Sequence, residues 1–102
     1  MNRLTTTWRV YVLELKPTPP GKKGWLYVGE TSVDVDTRIQ QHVSRARNKR
    51  GRLYSEKVAA HFKRRRKDLE TGRVLMTRES SLAAERELAD RLRKRGWQVD
   101  SG

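Results

Sequence analysis

The chain has 102 residues, 34% hydrophobic and 35% charged, with 24 Lys and Arg against 12 Asp and Glu and a net charge of +12. That length suits one domain over residues 1–102 with a small core, and the lack of any cysteine excludes disulfides and thiolate metal sites. So large a positive excess points to a polyanionic partner, because clustered Lys and Arg gain from phosphate neutralisation and counterion release.

Residues 1–7 are polar and lack the apolar core of a signal peptide. No apolar run approaches the length of a membrane span. A cytoplasmic protein with no membrane partner is the expectation. Residues 9–15 are rich in β-branched and aromatic side chains and read as a strand. Alternation puts Tyr11, Leu13 and Leu15 on one face and Val10, Val12 and Glu14 on the other. Pro17, Pro19, Pro20, Gly21 and Gly24 then break the chain, and Lys22 and Lys23 make that loop cationic. Residues 25–30 form a second strand, antiparallel to the first across the long connection.

Asp34 is a candidate N-cap with Asp36 in the first turn of a helix over residues 35–46. Val35, Ile39, Val43 and Ala46 share its apolar face, His42 falls within that face and Arg38 lies on its edge. Residues 45–52 form a basic loop carrying Arg45, Arg47, Lys49, Arg50 and Arg52. A second helix is expected over residues 55–67, with Val58, Ala59 and Phe62 inward. It ends in five consecutive cations: Lys63, Arg64, Arg65, Arg66 and Lys67. Residues 73–77 read as a third strand. Ser80 or Ser81 caps a third helix that runs to about Arg95 and stops at Gly96. Trp97 and Val99 then fold back as a packing contact or a short strand. The predicted order is ββααβα: an α+β domain with a small three-stranded antiparallel sheet flanked by helices.

Glu85 is the most informative single residue. With Leu82 at zero and about 100° per residue, Leu88, Leu92 and Ala89 fall at about 240°, 280° and 340°, and Glu85 at about 300°. A carboxylate in an apolar stripe costs several kcal/mol or more unless something pairs with it. It is either a buried salt bridge, with Arg38 as a partner, or a metal ligand in a cleft. Arg38 and His42 lie four apart and reach the same side of their helix. Arginine offers a rigid donor fork for phosphate, and histidine can hold a water or move a proton. Tyr11 and Tyr27 lie on adjacent strands, and a phenol with a pKa of about 10 is a poor base unless Arg38, Lys22, Lys23 or a metal lowers it. Gly29, directly after that strand's Tyr27-Val28, permits a close approach to the backbone. Two histidines are too few for an ordinary zinc site without carboxylate help. Trp8, Trp25 and Trp97 read chiefly as packing residues, with base stacking their other use.

The ordered set Val10-Tyr11-Val12, Tyr27-Val28-Gly29, Arg38-x-x-x-His42 and Ala84-Glu85-x-x-Leu88-Ala89 resembles the GIY-YIG nuclease domain. The resemblance implies phosphodiester hydrolysis with one divalent ion, Mg²⁺ or Mn²⁺, held by Glu85. It also implies roles for Tyr11 as the candidate base and Tyr27 as a positioning group. Arg38 would stabilise phosphate charge, and His42 would bond or relay protons. Arg9 departs from the glycine usual in the first motif, the loop between the tyrosine motifs is longer than typical, and no asparagine follows Glu85. The expected partner is nucleic acid, DNA first, with both basic tracts on its backbone and a separate protein supplying targeting. The alternative is a non-catalytic nucleic-acid-binding module on the same fold.

Overall fold

The computed structural model describes residues 6–102. Two central strands, β1 (Arg9–Leu15) and β2 (Trp25–Thr31), are almost wholly buried. They pair antiparallel from Arg9↔Thr31 to Leu15↔Trp25. Because both faces are covered, their side chains sort into two cores by alternation. Val10, Val12, Leu26 and Val28 pack with Leu88, Ala89 and Leu92 of helix α3 (Arg78–Lys94) on one face. Tyr11, Leu13, Leu15 and Tyr27 pack on the other with Val35 of α1 (Val35–Val43) and Val58 of α2 (Glu56–His61). The face assignment read from the first strand is the one observed.

The sheet has four strands rather than three and is mixed rather than antiparallel, in the order β3-β1-β2-β4. Strand β3 (Phe62–Arg65) lies where the second helix was expected to continue. Helix α2 stops at His61, and the next residues pair antiparallel with β1, Leu13↔Arg65 and Glu14↔Arg64. The cause is Glu14, buried in an otherwise apolar strand. As a strand, the cationic run brings Lys63, Arg64 and Arg66 to its carboxylate at 3.4, 3.0 and 3.1 Å. Five successive cations on a helix would point in all directions and reach no common partner.

The strand expected over residues 73–77 is a single bridge, Trp8↔Leu75. Leu75 is buried there, but Val74 and Met76 on either side are exposed. The fourth strand, β4 (Gln98–Ser101), runs parallel to β2 from Trp25↔Gln98 to Val28↔Ser101. The observed order is therefore ββααβαβ, still an α+β fold.

Helix ends follow local chemistry. Asp34 accepts from the Thr37 amide and caps α1, as expected. That helix ends at Val43 rather than Ala46, because Arg45 turns left-handed at φ 59°. Thr77, not Ser80 or Ser81, caps α3, with Ser80 reciprocating in a capping box. Gly96 follows that helix at φ 99°, the left-handed turn that glycine adopts without strain.

Candidate active site

A cleft of about 180 Å³ opens between the Gly29 end of β2, α1 and the start of α3, lined by Tyr11, Tyr27, Glu30, Arg38, His42, Tyr54, Arg78 and Gly102. Tyr11 comes from β1 and Tyr27 from β2, and their ring centroids lie 6.3 Å apart. Gly29, opposite Tyr11 in the sheet register, makes this pairing feasible. A Cβ there would stand 2.6 Å from the Tyr11 hydroxyl and 2.9 Å from the Tyr27 ring. The close approach that Gly29 permits is thus made by the protein's own tyrosines.

The Tyr11 hydroxyl lies 2.9 Å from His42 Nε2, and both residues are 2% exposed. Burial, then the nearby Arg38 charge, lowers the His42 pKa to about 4. Burial therefore favours the neutral imidazole, whose Nε2 shares a hydrogen bond with the Tyr11 hydroxyl. Burial, followed by the neighbouring Tyr27, pushes Tyr11 well above the usual phenol range. Tyr27 is pushed up to about 12, by burial first and then by Glu85. Neither phenol is poised to ionise alone. The neutral imidazole beside Tyr11 is a group able to accept a proton.

Arg38, one helical turn before His42, lays its guanidinium 4.2 Å from the centroid of the Tyr54 ring. Tyr54 also meets His42 edge-on at 6.2 Å. Glu85 is 4% exposed, in the apolar stripe of α3 where the helical period puts it. It is not among the residues that line the cleft. Burial, then the Glu30 charge, pushes its pKa up to about 7. No ion pair joins it to Arg38 among the described residues. Four buried side-chain atoms there lack a hydrogen-bond partner: Arg38 Nε, Gln41 Oε1, His42 Nδ1 and Glu85 Oε2. Three of the four belong to the residues singled out in the sequence.

The two basic tracts fare differently. Arg45, Arg47, Lys49, Arg50 and Arg52 have no carboxylate partner among the described residues. Asn48 orders their loop, its Oδ1 accepting from the Arg50 and Arg52 amides at 2.9 and 3.1 Å. The loop leads directly into Tyr54 and the cleft. In the second tract, Arg65 pairs with Glu70 and Asp36, and Arg66 with Asp68 as well as Glu14; of that tract, Lys67 alone has no carboxylate partner among the described residues. Lys22 and Lys23 lie at the far end of β2, where the Lys23 amide bonds to the Gly96 carbonyl. Neither lysine lines the cleft. That end also holds a groove of about 430 Å³ beside Trp25, where Lys57 and Asp100 pair at 2.8 Å.

Glu30, Tyr54 and Arg78 are cleft residues that sequence reasoning missed. Glu30 carried a signal, a carboxylate in step with the inward Leu26 and Val28. Tyr54 was a lone aromatic at the end of a basic stretch, and Arg78 had nothing to distinguish it.

The GIY-YIG catalytic domain pattern matches residues 7–98, and the chain belongs to that family. GIY-YIG domains are nuclease domains acting on nucleic acid. No curated protein and no solved structure matches the chain. No helix among the described residues is long and apolar enough to cross a membrane.

Proposed function

We propose that the chain is an endonuclease that hydrolyses phosphodiester bonds in DNA with one Mg²⁺ or Mn²⁺. The observation that carries this reading is the convergence of unpartnered buried polar atoms on Arg38, His42 and Glu85 around the Tyr11–His42 hydrogen bond. In native proteins such atoms are uncommon and call for a reason, and a phosphate and its cation supply one here.

The attacking water gives its proton to the Tyr11 oxygen as the Tyr11 proton passes to His42 Nε2. The water oxygen bonds to phosphorus, the bond to the leaving oxygen breaks, and that oxygen takes a proton from solvent. Arg38 meets the non-bridging oxygens with its donor fork. Phosphate binding neutralises Arg38 and removes one of the two causes that depress His42, so the base strengthens with substrate in place. Glu85 would hold the divalent ion, which when bound supplies charge stabilisation at the phosphate and leaving oxygen. Two or fewer carboxylates with waters is an ordinary Mg²⁺ site. Arg9, the departure from the first motif, is exposed at the start of β1 and does not line the cleft. The non-catalytic alternative therefore gains no support from it. The basic loop over residues 45–52 would grip the backbone without reading sequence, and targeting would fall to nucleic-acid structure or a protein partner.

Glu85→Ala should abolish Mg²⁺- or Mn²⁺-dependent cleavage of supercoiled DNA while leaving DNA binding within about two-fold, since the residue is buried and does not line the cleft. If wild type cleaves nothing with either metal, or the variant cleaves like wild type, the reading is wrong.

A further inference from the structure

Among the described residues, five acids are buried or half-buried: Glu14, Glu30, Glu70, Glu85 and Asp100. Three are held by cations: Glu14 by Lys63, Arg64 and Arg66, Glu70 by Arg65, and Asp100 by Lys57. Glu30 and Glu85 have no ion pair with a cationic side chain among the described residues. These two are also neighbours. Glu30 is the last residue but one of β2 and faces α3 with Leu26 and Val28. The Ser81 hydroxyl of α3 lies 3.3 Å from Glu30 Oε2, and Glu85 is one turn further along the same buried stripe.

Their surroundings do not satisfy them. Ser81 Oγ is closer to the Arg78 carbonyl, at 2.7 Å, and has only one proton to donate. Glu85 Oε2 has no partner at all. Glu30 lines the cleft and its charge acts on Glu85, which is not among the lining residues. Placing a second carboxylate beside the buried Glu85 is costly unless a cation joins them. Each of the other three has a cation of the chain on it, which leaves this pair open to a cation from solution. No group of three or more His, Cys, Asp or Glu able to hold a metal occurs among the described residues. Two oxygen donors, with waters and substrate phosphate completing the shell, suit Mg²⁺ or Mn²⁺.

We propose that Glu30 is a second metal ligand, and that Glu30 and Glu85 share one divalent cation across the β2–α3 contact. This rests on the reading of Glu85 as the residue that holds the metal. Glu30 would present the ion to the cleft, and Glu85 would anchor it.

The test is Mn²⁺ binding to the full chain, followed by the loss of the free-ion EPR signal, together with thermal melting in EDTA and in Mn²⁺. Wild type should bind one Mn²⁺. Glu85→Gln should lose binding, Glu30→Gln should weaken it at least ten-fold, and Glu79→Gln, an exposed acid of α3, should match wild type. In EDTA, Glu30→Gln should melt no lower than wild type, since it removes a like charge beside Glu85. Its Mn²⁺-induced rise in Tm should nevertheless be mostly lost. If Glu30→Gln binds Mn²⁺ as wild type does while Glu85→Gln does not, Glu30 is not a ligand and the reading of Glu85 stands. If wild type binds no Mn²⁺, both fall together.

Discussion

Glu14 and Glu85 are both buried glutamates, 6% and 4% exposed, on elements that pack against each other. Glu14 has three cations on it, and its Arg64 and Arg66 hydrogen bonds hold the carboxyl below the usual range against the opposing effect of burial. Glu85 has none, and burial lifts it to about 7. The same side chain at similar depth is paired in one place and unpaired in the other. What separates them is whether the sequence supplies a counter-charge. Where it does, the charge is spent on the fold. Where it does not, charge remains to be met by a ligand.

The contrast breaks most sharply under substitution. Glu14→Gln should destabilise the chain by about 3 kcal/mol, the low end of the range for breaking a buried pair, because Lys63 and Arg64 are half exposed and can rehydrate. Glu85→Gln should do the opposite, raising metal-free stability at pH 8 by about 2 kcal/mol as an uncompensated charge is removed. Urea unfolding in EDTA reads both. Equal destabilisation by the two variants would remove the distinction.

A second test uses pH. Glu85 is raised from 4.5 to about 7, so the folded chain keeps a proton that the unfolded chain has lost. The stability tied to it is complete below pH 4.5 and lost as pH rises through 7. His42 is lowered from 6.5 to about 4, so its contribution is complete above pH 6.5 and lost as pH falls through 4. Between pH 4.5 and 6.5 the two slopes oppose, and metal-free wild type should be nearly flat. Glu85→Gln should unmask the histidine, with stability rising by at most about 1.4 kcal/mol per pH unit over that window. A flat profile in the variant would mean that His42 is not held neutral by the fold.

The same contrast explains what the sequence disclosed. Period and motif placed Tyr11, Tyr27, Gly29, Arg38, His42 and Glu85, because each sits at a position where alternation or the helical turn fixes direction. Five of these six line or abut one cleft in the structure, and Glu85 is not among its lining residues. The strand β3 was not legible from periodicity, since Lys63-Arg64-Arg65-Arg66 has no apolar pattern to read. Its signal lay about 50 residues away, in a Glu14 that needed cations. Strand β4 was half legible, because Val99 announced an inward residue but a parallel partner cannot be seen from four residues. Tyr54 reached the site through the Arg38 guanidinium, a contact that no local pattern encodes.

The smallest effect discriminates between the two basic tracts, which composition alone treats as equivalent. Cations already paired with carboxylates release few counterions on binding phosphate, whereas unpaired ones release about 0.9 per contact. Arg47, Lys49 and Arg50 stand on a loop ordered by Asn48 and have no carboxylate to give up, while Arg64 and Arg66 are held on Glu14. Replacing Arg47, Lys49 and Arg50 with Ala should lower the slope of log K against log salt for duplex DNA by about 2 to 3, with little change in Tm. Replacing Lys63 and Arg64 with Ala should change that slope by less than about 1 and show itself in Tm, because it strips Glu14 of two partners. Fluorescence anisotropy across a salt series measures the slopes. If both sets lower the slope equally, the ion pairs on Glu14 open to meet DNA, and the tract over residues 63–67 belongs to the binding face after all.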